Sequence, residues 1–171
     1  PDYSKEATRI DFTYWFATVI SLFIFAVVAA VLAYALINFR VKPGDMSDGP
    51  PVHGHTTLEI IWTVIPTILV IAISIVSAVV LAQNSDAGSN PLRIKVTAQQ
   101  FAWSFTYPNG KTFGQLRLPI DRHVKLTLTA NDVIHSFWVP QFAQKQDAVP
   151  GDEHTLVITP TRTGTFPVIC T

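Results

Sequence analysis

One cysteine and one methionine stand in 171 residues, and only 14% of the side chains carry charge. A single thiol excludes an internal disulfide and every zinc motif built on Cys-x-x-Cys pairs, which leaves packing or chemistry as its use. Twelve basic residues against twelve acidic ones give no net charge, so nothing calls for nucleic acid as a partner. The scarce charges are also unevenly spread: none lies between Asp11 and Arg40, and none between Glu59 and Asp86. Each gap exceeds the ~20 residues that cross ~30 Å of hydrocarbon at ~1.5 Å per helical residue, which predicts two membrane-spanning helices. A core helix of a soluble protein rarely stays apolar on every face for that length. The chain opens on Pro1 rather than methionine, from which an N-terminal segment removed or not counted is expected. The first apolar run is too long for a signal peptide.

A short polar segment, 1–12, leads into a first span expected from Thr13 to Phe39. Tyr14 and Trp15 at one end, with Tyr34 and Phe39 toward the other, are aromatics of the kind that settle at membrane interfaces, and Arg40 and Lys42 can reach headgroups. The linker PGDMSDGPPVHGH carries three prolines and three glycines, cannot continue a helix, and predicts an irregular connection between antiparallel spans. Its two histidines resemble a metal pair in composition only, with no partner at ligand spacing. Thr56, Thr57 and Glu59 suit the start of the second helix, a Thr cap with an acid in the first turn. Trp62 anchors it, and Pro66 predicts a kink or loosened turn. Basic residues before, between and after the spans leave orientation open. Residues 13–83 thus read as a transmembrane helical hairpin, and 84–171 as a separate domain.

After the polar stretch QNSDAGSNP the pattern changes to period two, and the rest reads as all β. In RIKVTAQQFAWSFTY, Ile94 and Val96 share one phase while Phe101, Trp103, Phe105 and Tyr107 share the other, which predicts a bulge near Ala98 to Gln100. HVKLTLTA alternates through Val124, Leu126, Leu128 and Ala130 as a half-buried strand does, and HSFWV, HTLVI and GTFPVIC supply three more. About six strands in ~80 residues argue for a small sandwich or Greek-key barrel.

Two residues with metal chemistry fall on inward phases. His135 shares its face with Phe137 and Val139, and Cys170 shares its face with Phe166 and Val168. An imidazole and a soft thiolate in an all-β domain form a copper-like pair. A packed core histidine and an inert buried thiol fit the same spacing, because two ligands close no site. Glu59 reads first as a helix-start charge, the aromatic file from Phe101 to Tyr107 first as core, and Asp132, Asp147, Asp152 and Glu153 as turn residues or a docking patch.

Five stretches in order make a more specific pattern: the two spans, Glu59-Ile-Ile-Trp62 running to Pro66, Gln100-Phe-Ala-Trp103-Ser-Phe-Thr-Tyr107, Asp132-Val-Ile-His135 with Lys145-Gln-Asp147-Ala-Val-Pro150-Gly151, and Gly164-Thr-Phe-Pro-Val-Ile-Cys170. In these the chain resembles subunit II of haem-copper cytochrome c oxidases over nearly its whole length. The resemblance implies a helical hairpin bearing a cupredoxin-like β domain outside the membrane, in a bacterial plasma membrane judging by the terse linkers. It implies that His135 and Cys170 are ligands of the binuclear copper centre CuA. The remaining ligands of that centre, and a magnesium ligand, fall beyond Thr171, from which an incomplete record of the last strand is expected. It implies further that Glu59 stands at the entrance of the K proton pathway, that Asp132 belongs to the cytochrome c docking surface, and that Lys145 and Asp147 lie against subunit I, which holds the haems and CuB. Phe101 stands where the family has the tryptophan that takes electrons from cytochrome c, and Trp103 is not its direct equivalent.

The partners implied are subunit I and other oxidase subunits, membrane lipid, and cytochrome c or a tethered c-type haem domain. From Asp86 onward six acidic residues face eight basic ones, so the domain lacks the acidic excess that steers a basic donor from a distance. Two other readings stand beside the electron-accepting subunit. One is a copper-free quinol oxidase subunit II, against which the presence of both His135 and Cys170 speaks. The other is a non-enzymatic membrane-anchored structural subunit.

Overall fold

The computed structural model describes every residue except Pro1, Val41, Lys42, Asp45, Ser47 and Pro50, so the headgroup contact expected of Lys42 lies outside the described residues. Two compact units emerge, Tyr14–Ser77 and a second made of Pro1–Thr13 with Ala78–Thr171.

The helical unit holds most of α1 (Lys5–Asn38) and α2 (Thr56–Ser85). Large apolar side chains such as Phe23, Phe25, Leu36, Ile65 and Ile75 are exposed all round both helices, as lipid-facing helices require. The first span lies within a helix that begins at Lys5, eight residues before the expected Thr13. Ser4 makes this possible, because its hydroxyl accepts the Ala7 N–H at 3.0 Å and caps the first turn. The second helix is capped by His55 rather than by a threonine. His55 Nδ1 accepts the Leu58 N–H at 3.3 Å, and the Glu59 carboxylate accepts the His55 N–H at 3.3 Å, a reciprocal arrangement that serves as a capping box. The helix continues through Pro66 to Ser85.

In the other unit, one sheet runs in the order β3-β2-β1-β4-β7 and a second in the order β6-β5-β8. The strands are β1 (Leu92–Gln99), β2 (Ala102–Thr106), β3 (Thr112–Phe113), β4 (Val124–Ala130), β5 (His135–Val139), β6 (Gln144–Ala148), β7 (His154–Ile158) and β8 (Ile169–Cys170). β4 alternates as its sequence predicts, with Val124, Leu126, Leu128 and Ala130 buried. It pairs in parallel with β1, so Ile94 and Val96 line up with Leu126 and Leu128 on one face. Phe137, Val139 and Ala148 of the second sheet close over that face to make the core. Each large apolar side chain buried there contributes roughly 1.5–3 kcal/mol. Truncating Leu126 to Ala would cost about 2–5 kcal/mol through the cavity left behind.

Three details differ from the sequence pattern. The expected bulge at Ala98 to Gln100 is a hairpin: Gln99 pairs with Ala102, and Gln100 and Phe101 form the turn. Spending two residues on a reversal flips the phase, and it returns Phe105 and Trp103 to the core side opposite Val96 and Ala98. Phe101 leaves the aromatic file altogether and stands 97% exposed at the tip. The polar QKQDA segment is a strand, paired along its length with HSFWV. GTFPVIC is mostly irregular, with Pro167 inside it, and only Ile169 and Cys170 pair with β5.

Candidate metal centre

The second sheet brings His135 and Cys170 together. Cys170 lies opposite Phe137 on β5, and opposed residues of antiparallel strands project to one face, so its thiol shares the side of the sheet that carries Phe137 and His135. Cys170 Sγ stands 3.7 Å from His135 Nδ1 and accepts the Ser136 N–H at 3.4 Å. Contrary to the inward position its phase suggests, Cys170 is exposed, because β8 is a two-residue strand at the edge of the sheet.

Asp132 fixes the far side of the imidazole. Its Oδ1 lies 2.8 Å from His135 Nε2 and accepts the Val133 N–H at 2.8 Å, while Oδ2 accepts the Gln100 N–H at 2.7 Å. The Gln100 N–H above all, then His135 and the Val133 N–H, hold the Asp132 carboxyl at about 2, below its usual 3.8. A folded value below the ordinary one means that the contribution of these bonds is complete above ~pH 4 and is lost as pH falls toward 2. One carboxylate thus ties the β1–β2 hairpin tip to the histidine, and with Nε2 bound to Asp132, Nδ1 is free to face the sulfur.

Around the pair, the Trp103 ring meets His135 edge-on at 6.0 Å and Phe137 at 5.6 Å. Phe101, Val133 and Ile134 are exposed apolar side chains on the two segments that Asp132 joins. Lys145 and Asp147 pair with Trp138 and Ser136, on the opposite face of the sheet from His135. Ser136 Oγ donates to Asp147 Oδ1 at 2.7 Å, which fixes that carboxylate. Glu59 belongs to the helical unit, where its carboxylate serves the His55 cap. Of the two linker histidines, His55 uses Nδ1 to cap its helix.

Among the described residues no three His, Cys, Asp or Glu side chains gather as a metal site. The pair nevertheless fits one edge of such a site. Metal bonds of ~2.0 Å to nitrogen and ~2.3 Å to thiolate, opened slightly beyond the tetrahedral angle, span about the distance seen between Nδ1 and Sγ. The histidine's other nitrogen is held by a carboxylate, as metal-binding histidines commonly are. The family resemblance, rather than phase, predicted the meeting of His135 and Cys170. Neither signalled the bond from Asp132 to Gln100, and the D-x-x-H spacing is a local signal for the contact of Asp132 with His135 alone.

The family description "Cytochrome C oxidase subunit II, transmembrane domain" matches residues 4–80, and "Cytochrome C oxidase subunit II, periplasmic domain" matches residues 111–171. Cytochrome c oxidase subunit 2 of Synechocystis is 35% identical, covering 98% of this chain and 65% of that protein. Its counterpart from Alkalihalophilus pseudofirmus is 39% identical over 88% of this chain and 45% of its own length. Quinol oxidase subunit 2 of Bacillus subtilis is 32% identical over 76% of this chain and 43% of its own length. The chain therefore spans about two thirds or less of these relatives. With two apolar helices that match the transmembrane part of the family and a cupredoxin-like domain that matches its periplasmic part, the chain belongs to the cytochrome c oxidase subunit II family.

Proposed function

We propose that this chain is the electron-accepting part of a proton-pumping haem-copper oxidase, taking electrons from a c-type haem donor at a CuA centre and passing them to subunit I for oxygen reduction. The 3.7 Å approach of Cys170 Sγ to His135 Nδ1 carries this reading. Copper bound there supplies one-electron redox chemistry. Cys170 offers a soft thiolate and His135 an imidazole nitrogen, and Asp132 holds the ring so that Nδ1 keeps facing the sulfur. The ring contact between Trp103 and His135 supports electron arrival through Trp103, with the exposed Phe101 forming the surface the donor touches.

Asp132 spends its carboxylate on internal bonds, and the β domain has no acidic excess. Both facts favour a donor held by apolar contact, or tethered in a larger assembly, with Asp132 contributing to docking through the shape of the tip. Lys145 and Asp147, on the other face of the sheet, are the side we assign to subunit I, whose haems and CuB take the electrons onward. Glu59 is assigned to proton uptake at the K pathway, in a bacterial plasma membrane with the β domain outside.

Rapid mixing of the intact oxidase with a reduced c-type donor tests the assignment. A copper-centred reduction phase should precede haem reduction and vanish in His135→Ala. Haem reduction at an unchanged rate in that variant would refute it. The quinol oxidase relatives favour one rival, a copper-free subunit, which the same experiment detects as the absence of any copper phase in the unmodified enzyme.

A further inference from the structure

The segment between β7 and β8 carries the chain from the core sheet to Cys170, and its end is held by only two residue pairs, Phe137 with Cys170 and Trp138 with Ile169. Where Cys170 sits therefore depends on how residues 159–168 are anchored. Asp121 N donates to Pro160 O at 2.8 Å, and the other anchors come from the far end of the sequence. Lys5 N donates to Thr159 O at 3.1 Å, Thr161 N donates to Tyr3 O at 2.9 Å, and Ser4 forms a bridge with Pro160. Glu6, 1% exposed, accepts the Thr159 N–H at 2.8 Å on one carboxylate oxygen and the Thr159 hydroxyl at 2.7 Å on the other. A buried carboxylate is tolerated only when hydrogen-bonded in this way. With the Thr159 hydroxyl proton given to Glu6, His123 Nδ1, 2.8 Å from Thr159 Oγ1, has to be a donor, which extends the network onto the turn before β4.

Further along, the Tyr3 ring packs edge-on against Phe166 at 4.9 Å under the Arg162 guanidinium, and Phe166 packs in turn against Phe142 at 5.9 Å. Residues 3–6 thus hold both the start and the middle of the segment that delivers the sulfur.

We propose that Tyr3 and Glu6, at the head of the first membrane helix, are positioning residues for Cys170, fixing the 159–168 segment so that the thiol stays beside His135. This rests on the copper reading above, but the clamp itself is a property of the polypeptide. Arg9 lies one turn further along α1 and bonds to Gln83 O and Asn84 Oδ1, touching the clamp through the long 3.5 Å bond from Asn84 Nδ2 to the Glu6 carbonyl and not through the Glu6 carboxylate, which makes it the control.

Tyr3→Leu, Glu6→Gln and Arg9→Gln in the full-length subunit, each studied copper-free and copper-loaded, test this by amide hydrogen exchange and by the copper hyperfine pattern. In Tyr3→Leu and Glu6→Gln, β8 amides paired with β5 should exchange about tenfold faster while those of β4 do not change, and the hyperfine pattern should shift. Arg9→Gln should leave both readouts as they were. Unchanged β8 exchange in the first two variants, or an equal rise in β4, would overturn the clamp. Faster β8 exchange in a subunit that takes up no copper would support the clamp and overturn the electron-accepting role instead.

Discussion

Gly164 leaves no room for a Cβ while the Phe166 ring, two residues on, stays in place. A Cβ built there would run into Phe166 Cζ and come within 2.9 and 3.0 Å of the two flanking ring carbons. In Gly164→Ala the ring must swing away, and it then loses its edge contacts with Tyr3 at 4.9 Å and Phe142 at 5.9 Å. Two aromatic pairs at roughly 0.5–1.5 kcal/mol each give a loss of about 1–3 kcal/mol. For a domain of this size that lowers the melting temperature by about 4–8 °C per kcal/mol. A double-mutant cycle with Phe166→Ala, followed by thermal unfolding of the full-length subunit in detergent, isolates the clash. Once the ring is gone, an alanine at 164 has nothing to displace, so the double variant should be no less stable than Phe166→Ala alone. Additive losses would refute the reasoning, since they would mean that Gly164 matters for some other reason than the ring.

Asp132→Asn keeps the shape but weakens the grip on His135 and on the hairpin tip, so copper affinity, measured by competition with a chelator, should fall by about 10–100-fold. Unchanged affinity would show that the ring needs no such support. Donor oxidation should respond weakly to ionic strength, because the domain has no acidic excess; a rate that falls steeply with added salt would contradict this. Glu59→Gln should slow proton uptake during turnover while leaving reduction of the copper site by the donor unchanged. Equal slowing of both steps would remove Glu59 from the proton path.

The two helices were legible because lipid contact keeps charge out of runs of 28 and 26 residues, and β4 because burial of one face writes alternation into Val124 to Ala130. HSFWV and HTLVI were legible as short apolar runs set off by proline and glycine. The hairpin at Gln100 and Phe101 was not, since neither residue is among the usual turn formers and the phase flip it causes looks like a bulge. The QKQDA strand is polar at four of five positions and hides as a loop. At the site, the phases of His135 and Cys170 suggested only that each faces inward, the family resemblance paired them, and the exposure of Cys170 follows from its place at a sheet edge, which no local pattern records. The bonds from Asp132 to Gln100 and from Glu6 to Thr159 join residues 32 and 153 positions apart, and only the folded chain brings them together.

The electron-accepting role is tested most directly by the copper content and electron paramagnetic resonance of the full-length subunit and of its His135→Ala and Cys170→Ser variants. The unmodified protein should hold a binuclear copper centre with one unpaired electron shared between the metals, and either substitution should abolish that signal. A full-length subunit that purifies without copper, or variants that keep the shared-electron signal unchanged, would contradict it.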